Sequence, residues 1–371
     1  MNGGTQAGGL GQEEAFARIR LLRSPNVGPV TYTQLLARFG SAGAALEALP
    51  DLAGRAGRAY TLAPERRVHE EVKAVRNAGA RFLFHDSPDY PPLLAQSEGA
   101  PPILTVRGEA TLALRPAIAM VGARNASAAA IRLARDFAAG LAEAGLTVVS
   151  GLARGIDGAA HGGALAVGGA TVGVIASGID IAYPPEHAEL QERIAREGLL
   201  VAEQPPGTEP LARHFPSRNR IIAGLCAGTL VVEAAPKSGS LITARLAGEM
   251  GREVMAIPGS PLDSRSRGCN QLIRDGAVLV QSPEDVIELL SSFDGTPRSV
   301  FREAAPRWLT ADEHGEEPSA EISDLLTTAP VSVDELIRQS GASASAVQLA
   351  LLELEISGRL LRHAGGRVSL S

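Results

Sequence analysis

The sequence predicts an α/β protein: a Rossmann-like, doubly wound, mostly parallel sheet, preceded by a small helical domain and followed by a winged helix. Three observations predict it. Short, uniformly apolar runs alternate with amphipathic segments from about Pro116 to Val280, the pattern of strands buried on both faces between covering helices. A length of 371 residues suits two or three domains. Residues 319–371 read as three helices and a hairpin, "LLRHAGGRVSL", with a Gly-Gly turn.

Residues 1–12 hold five Gly and no Lys or Arg, so they are expected to form a flexible tail and not a signal peptide. The helical domain is placed at 13–82. Its first helix, Glu13–Arg23, sets Phe16, Ile19 and Leu22 on one face. A turn follows at Pro25–Pro29, then a helix to Phe39 that Gly40 stops. Two helices joined by a Gly-Pro turn resemble helix-hairpin-helix modules, whose turn amides can touch DNA phosphate. A packing or docking module would look the same.

The Rossmann-like domain is placed at 83–293. Strands are expected at Ile118–Val121, Leu146–Val149, Thr171–Ala176, Leu199–Ala202, Thr229–Val232, Glu253–Ile257 and Val278–Val280. Helices are expected at Ser127–Ala144, after an N-cap at Asp157, at Glu186–Glu197, around Asn219–Ala227, at Ser240–Met250 and near Asn270–Arg274. An acidic linker fills 294–318 and the winged helix 319–371, with helices at 320–326, 333–339 and 343–357.

Composition narrows the function. The net charge is -6, so any polyanion site must be a local patch. Two Cys without metal-ligand spacing suggest neither a disulfide framework nor a zinc site. Gly162–Ile179 is uncharged but holds six Gly and divides into a helix end, a turn and a strand. No membrane span is expected, and the cytoplasm is the expected location.

In an open parallel sheet, ligands bind outside the carboxyl ends of the strands. Here those ends are Gly122-Ala-Arg124, Ser150-Gly151, Ser177-Gly178, Glu203-Gln204, Glu233 and Pro258-Gly259. Their loops add Arg154, Arg213, Arg218, Arg220 and Lys237. Residues 115–290 carry 16 basic and 18 acidic residues, so the segregation of cations to one rim is the signal. In "SGLARGIDGAAH" (150–161), Gly151 and Gly155 let the backbone approach a ligand, and the amides at the helix start with Arg154 favour an anion. A tight strand-to-helix turn is the structural alternative. In "HFPSRNRIIAGL" (214–225), Phe215 beside Arg218-Asn219-Arg220 reads either as a base-stacking platform or as a core aromatic. "EAAPKSGSLITA" (233–244) sets Lys237 and Ser240 at a helix start, a further anion cradle.

Several chemistries are disfavoured. Ser150, Asp157 and His161 have no G-x-S-x-G elbow to support a hydrolase triad. The turn "VGARNAS" lacks G-x-G-x-x-G, and no G-x-x-x-x-G-K-[ST] occurs. No cofactor, metal or catalytic residue is therefore expected.

The ordered set "VGAR" (121–124), "SGLARGIDGAAH" (150–161), "YPPEH" (183–187), "FPSRNRIIAGL" (215–225), "VVEAAPKSGSLITARLA" (231–247) and "AIPGSPLDSRSRGCNQLI" (256–273) resembles the DNA-processing protein A family (DprA/Smf). "YPPLL" (90–94) and "PPILTVRG" (101–108) match the stretch before the fold. The resemblance implies a Rossmann-like core that binds single-stranded DNA and loads RecA onto it in natural transformation, with a homodimer formed through that core. It implies that Arg124, Ser150, Gly151, Arg154 and the Arg218–Arg220 group line the DNA pocket. The expected contacts are thus Gly122, Arg124, Ser150, Gly151, Arg154, Phe215, Arg218, Asn219, Arg220, Lys237 and Ser240. The alternative is a phosphoribohydrolase-like enzyme: "CAGTLVVEAAPKSG" keeps Gly228-Thr229 and Glu233 of its PGGxGTxxE signature but lacks the Pro-Gly-Gly.

The winged helix is not expected to be the main DNA reader. Residues 319–371 carry four Arg against six acidic residues, and Ser343–Ser357 contains Glu353 and Glu355 and no cation. Val347, Leu351 and Leu354 are expected to serve its own core or a protein partner.

Overall fold

The computed structural model describes residues 10–55, 59–291, 321–363 and 365–371; the expected acidic linker and most of the expected tail lie outside them. The chain divides into two compact units, a central one from Glu71 onward and a second made of both chain ends.

The central unit takes in most of α4 (Glu65–Asn77) and continues with β1 (Arg81–Phe84), α5 (Pro92–Ala95), β2 (Ile103–Gly108) and β3 (Ala117–Val121). It continues with α6 (Ala128–Glu143), β4 (Thr147–Ser150), α7 (Ile156–Ala166), β5 (Thr171–Gly178), α8 (Ala188–Glu197) and β6 (Leu199–Gln204). Then come α9 (His214–Leu225), β7 (Gly228–Val231), α10 (Gly239–Glu249), β8 (Glu253–Ala256), α11 (Arg267–Arg274), β9 (Val278–Leu279) and α12 (Pro283–Ser291).

Its sheet has nine strands in the order β1-β2-β6-β5-β4-β3-β7-β8-β9. Strands β3 to β9 are mutually parallel. All seven expected strands are present, shifted by a residue or two. Two more, β1 and β2, extend the sheet antiparallel beyond β6. The chain winds outward from β3 through β4, β5 and β6, then returns to place β7 on the other side of β3. This reversal opens a crevice at the carboxyl ends of the central strands.

Every residue of β3 is buried, and alternation sends its side chains into two layers. Ile118 and Met120 pack with Ala134 and Phe137 of α6 and Ile156 of α7. Ala119 and Val121 pack with Ile221 and Leu225 of α9 and Ala244 of α10. The sheet is thus covered on both faces, which explains why its strands read as unbroken apolar runs.

Two local expectations are corrected. Asp157 is not the N-cap of α7; that position is Gly155, at φ 73°, and Asp157 lies buried inside the first turn. Helix α9 begins at His214, well before Asn219, and ends at Leu225. Pro216 falls in its first turn, where a missing N–H costs no hydrogen bond.

The second unit joins α1 (Gln12–Arg23), α2 (Pro29–Phe39) and α3 (Ala42–Arg55) to the winged helix. The winged helix comprises α13 (Glu321–Asp324), β10 (Val331–Ser332), α14 (Val333–Ser340), α15 (Ala344–Ile356), β11 (Leu360–His363) and β12 (Arg367–Leu370). Val347, Leu351 and Leu354 belong to its own core, with Ile322, Leu336 and Val368. Leu352 and Ile356, on another face of α15, enter the core of α1–α3 beside Leu35 and Leu49. Asn26, in the turn between α1 and α2, donates to the Ile356 carbonyl at 2.9 Å, and Gln34 donates to Gln348 at 3.3 Å. The helical hairpin and the third helix of the winged helix therefore cover one another. No helix among the described residues is long and apolar enough to cross a membrane.

Candidate nucleic-acid interface

The carboxyl ends of β3, β4 and β5 and the first turn of α9 converge on a small pocket. It is lined by Arg124, Gly151, Arg154, Tyr183, Phe215 and Arg218, among others. Its volume is about 30 Å³, which suits one or two waters and not a base. A planar ring is too large to enter it and can only stack at its mouth.

Phe215 is the centre of this cluster. The Arg124 guanidinium stands 5.0 Å from its ring centroid and that of Arg218 stands 6.0 Å away. Tyr183 packs beside it, with ring centroids 5.9 Å apart at 58°. Phe215 is thus not a core aromatic: it faces cations and a second ring. Tyr183 is the residue that sequence reading missed. It is 42% exposed, which leaves ring surface available to a ligand.

Arg218 is buried against backbone. A Cβ on Gly151 would fall 1.3 Å from its Nη1, so only glycine leaves space for the guanidinium. Asp157 faces the same nitrogen at 3.9 Å and accepts from the amides of Gly151 and Ala153 at 3.1 and 3.3 Å. Burial pushes the Asp157 carboxyl above the usual carboxylate range, against the pull of Arg218. Burial likewise lowers the Arg218 guanidinium, opposed by Asp157. The loop "GLARGI" is thereby tied to α7 and α9 from inside.

Arg154 lies at the mouth. It pairs with Glu186, in the short helical turn Pro185–His187, and the pair holds Arg154 above its ordinary value. Among the described residues, no carboxylate lies within 4 Å of Arg124.

The remaining predicted residues are placed elsewhere. Gly122 lies one residue past β3, packed against Ile156. Ser150 is fully buried, and its hydroxyl donates to the Met120 carbonyl at 2.6 Å, so its side chain lines no pocket. Asn219 sits on α9 beyond the pocket lining. Arg220 turns away, donating to the Gly99 carbonyl and pairing with Glu203. Lys237, at φ 69°, borders a separate and wider groove between α10 and α11, of about 1060 Å³. Ser240 is buried at the start of α10, 2.8 Å from the Ser238 hydroxyl. The predicted rim of six cations thus resolves into one pocket with three guanidiniums and scattered others.

Glu233, the residue kept from the phosphoribohydrolase signature, is occupied. It is buried and accepts from the Ser127 amide and hydroxyl at 3.0 and 2.7 Å, bracing the start of α6.

Comparison with known proteins agrees with this architecture. Residues 81–291 match the family described as DNA recombination-mediator protein A. Residues 12–74 match the DprA-like N-terminal HHH domain and 304–366 the DprA winged helix domain. The chain is 38% identical to protein Smf of Escherichia coli over 312 residues, 83% of this chain and 82% of that one. It is 48% identical to DNA processing protein DprA of Streptococcus pneumoniae over 198 residues, 53% of this chain and 70% of that one. The crystal structure of the pneumococcal protein superposes with a TM-score of 0.62 at 37% identity, over 74% of this chain and 97% of that one. DNA processing protein A from Helicobacter pylori, described for its single-stranded DNA binding mode, superposes with a TM-score of 0.52 at 27% identity, over 57% and 95% of the two chains. The chain belongs to the DNA processing protein A (DprA/Smf) family.

Proposed function

We propose that this chain binds single-stranded DNA at the pocket around Phe215 and delivers the strand to RecA, without turning over a nucleotide. One observation carries the DNA reading: two aromatic rings, Phe215 and Tyr183, lie beside three guanidiniums at the carboxyl ends of parallel strands. Rings stack on any base, and guanidiniums follow the phosphate backbone, so such a site favours a strand whose bases are free. The relative from Helicobacter pylori, described for its single-stranded DNA binding mode, supports the same reading.

Delivery to RecA, action in the cytoplasm and a homodimer through the central unit rest on family membership. The hydrolase alternative loses support because Glu233 already braces α6. Titration with single-stranded and duplex oligonucleotides at matched salt tests the proposal. Preference for the single strand, with binding that weakens steeply as salt rises, is expected.

A further inference from the structure

Resting on that reading of the pocket, we infer that Glu186 is an internal competitor for DNA phosphate: its carboxylate occupies Arg154 until the strand displaces it. The charges at the pocket are unequally committed. Arg218 is buried and faces Asp157. Arg154 is paired with Glu186 at the surface, where the two side chains are 61% and 49% exposed. Among the described residues, Arg124 alone of the three has no carboxylate within 4 Å. Among the described residues the pocket thus offers one cation that no carboxylate approaches within 4 Å, not three.

The pairing is built in by the fold. Glu186 sits in the one-turn helix Pro185–His187, and Pro184 and Pro185 restrict the backbone just before it. His187, next in sequence, is anchored through Nδ1 to the Leu152 carbonyl at 2.9 Å, two residues from Arg154. Its ring also packs against Gly158, where a Cβ would fall 2.7 Å from Cε1. The turn carrying the carboxylate is therefore pinned to the loop carrying the guanidinium. The groups that act on Glu186 are Arg154 first and then His187, while Tyr183 acts on Arg154. Arg154 draws the Glu186 carboxyl down to about 2, so it stays ionised at any physiological pH and competes throughout.

Glu186 takes only the Nε–H of Arg154, so a phosphate that is to gain the whole fork of the guanidinium, and its undiminished charge, must release this carboxylate. A surface ion pair is a modest barrier. A strand that engages Arg124 at the same time overcomes it, whereas a single phosphate on Arg154 alone gains little. Glu186 thereby weakens capture of short or isolated phosphates relative to a continuous strand.

The test is a double-mutant cycle on the full chain, read by titration with a fluorescent oligothymidylate over a salt series. Glu186→Gln is expected to tighten binding roughly two- to fivefold and to steepen the salt slope by up to about 0.7. In the Arg154→Ala background the same change is expected to have less than about 1.5-fold effect, because the competitor then has nothing to occupy. Glu189→Gln, on α8 one turn away, serves as the control for general repulsion and is expected to leave affinity unchanged. Equal affinity for Glu186→Gln and the parent, or tightening that persists without Arg154, overturns the inference. Should neither Arg124→Ala nor Arg154→Ala weaken binding, the pocket itself is not the DNA site, and both readings fall.

Discussion

Arg218 rests on the backbone of Gly151 so closely that a Cβ at that position would lie 1.3 Å from its guanidinium nitrogen. This contact joins the end of β4 to the second turn of α9 and supports the floor beneath Phe215. Gly151→Ala must eject the guanidinium or shift the loop. Overpacking of this kind costs about 1–3 kcal/mol. Denaturant unfolding should show that loss for the central unit, with single-strand affinity falling alongside it.

The end domains should contribute little to DNA affinity. Leu352 and Ile356 of α15 enter the core of α1–α3, and Asn26 in the helical hairpin is spent on the Ile356 carbonyl. The hairpin turn and α15, the elements such modules set on DNA, therefore face each other. Leu352→Ala should destabilise the end unit by about 2–5 kcal/mol through a buried cavity. Affinity for a single strand should stay within about twofold at matched salt. A large loss of affinity in a folded variant would move the site into that unit.

His161 sets a pH dependence. Its ring is fully buried, with Nδ1 2.7 Å from the Thr171 hydroxyl, whose own proton goes to the Val148 carbonyl at 2.8 Å. The imidazole therefore donates from Nδ1. Burial lowers its pKa from the ordinary 6.5 to about 3. Between these values the unfolded chain binds one more proton than the folded one, so stability is full above about 6.5 and falls as pH drops toward 3. Histidine NMR should show the His161 imidazole remaining neutral at pH 4.5, and His161→Gln should flatten the acid limb of the melting-temperature profile.

Nucleotide turnover should be absent. Glu233 accepts two hydrogen bonds from Ser127 and so is committed to the turn after β3. Incubation with nucleoside monophosphates should release no free base. Sustained release by the parent chain that Glu233→Gln abolishes would restore the hydrolase reading.

The parallel sheet was legible because buried strands and amphipathic helices have different periods, and the ends of those strands located the pocket. Arg124, Arg154 and Arg218 follow from those ends, and Phe215 from an aromatic set beside clustered Arg in "HFPSRNRIIAGL". Tyr183 follows β5 by only a few residues in "YPPEH", and a search of strand ends for aromatics would have found it. Other details depend on partners distant in sequence. Arg220 looked like part of the cluster, yet Gly99 and Glu203 hold it. Ser150 is expected in the pocket lining, yet its side chain is buried and bonds across from β4 to β3. Docking of α15 on α1–α3 joins segments more than 300 residues apart, which no local period encodes.

The most direct measurement is fluorescence anisotropy of an oligothymidylate titrated with the parent chain and with Arg124→Ala over a salt series. Arg124 is the cation that stands over Phe215 without a carboxylate partner. The substitution should weaken binding about tenfold and flatten the salt slope by about 0.7, without regard to base sequence. Unchanged affinity and slope in the folded variant would contradict the assignment of single-stranded DNA to this pocket.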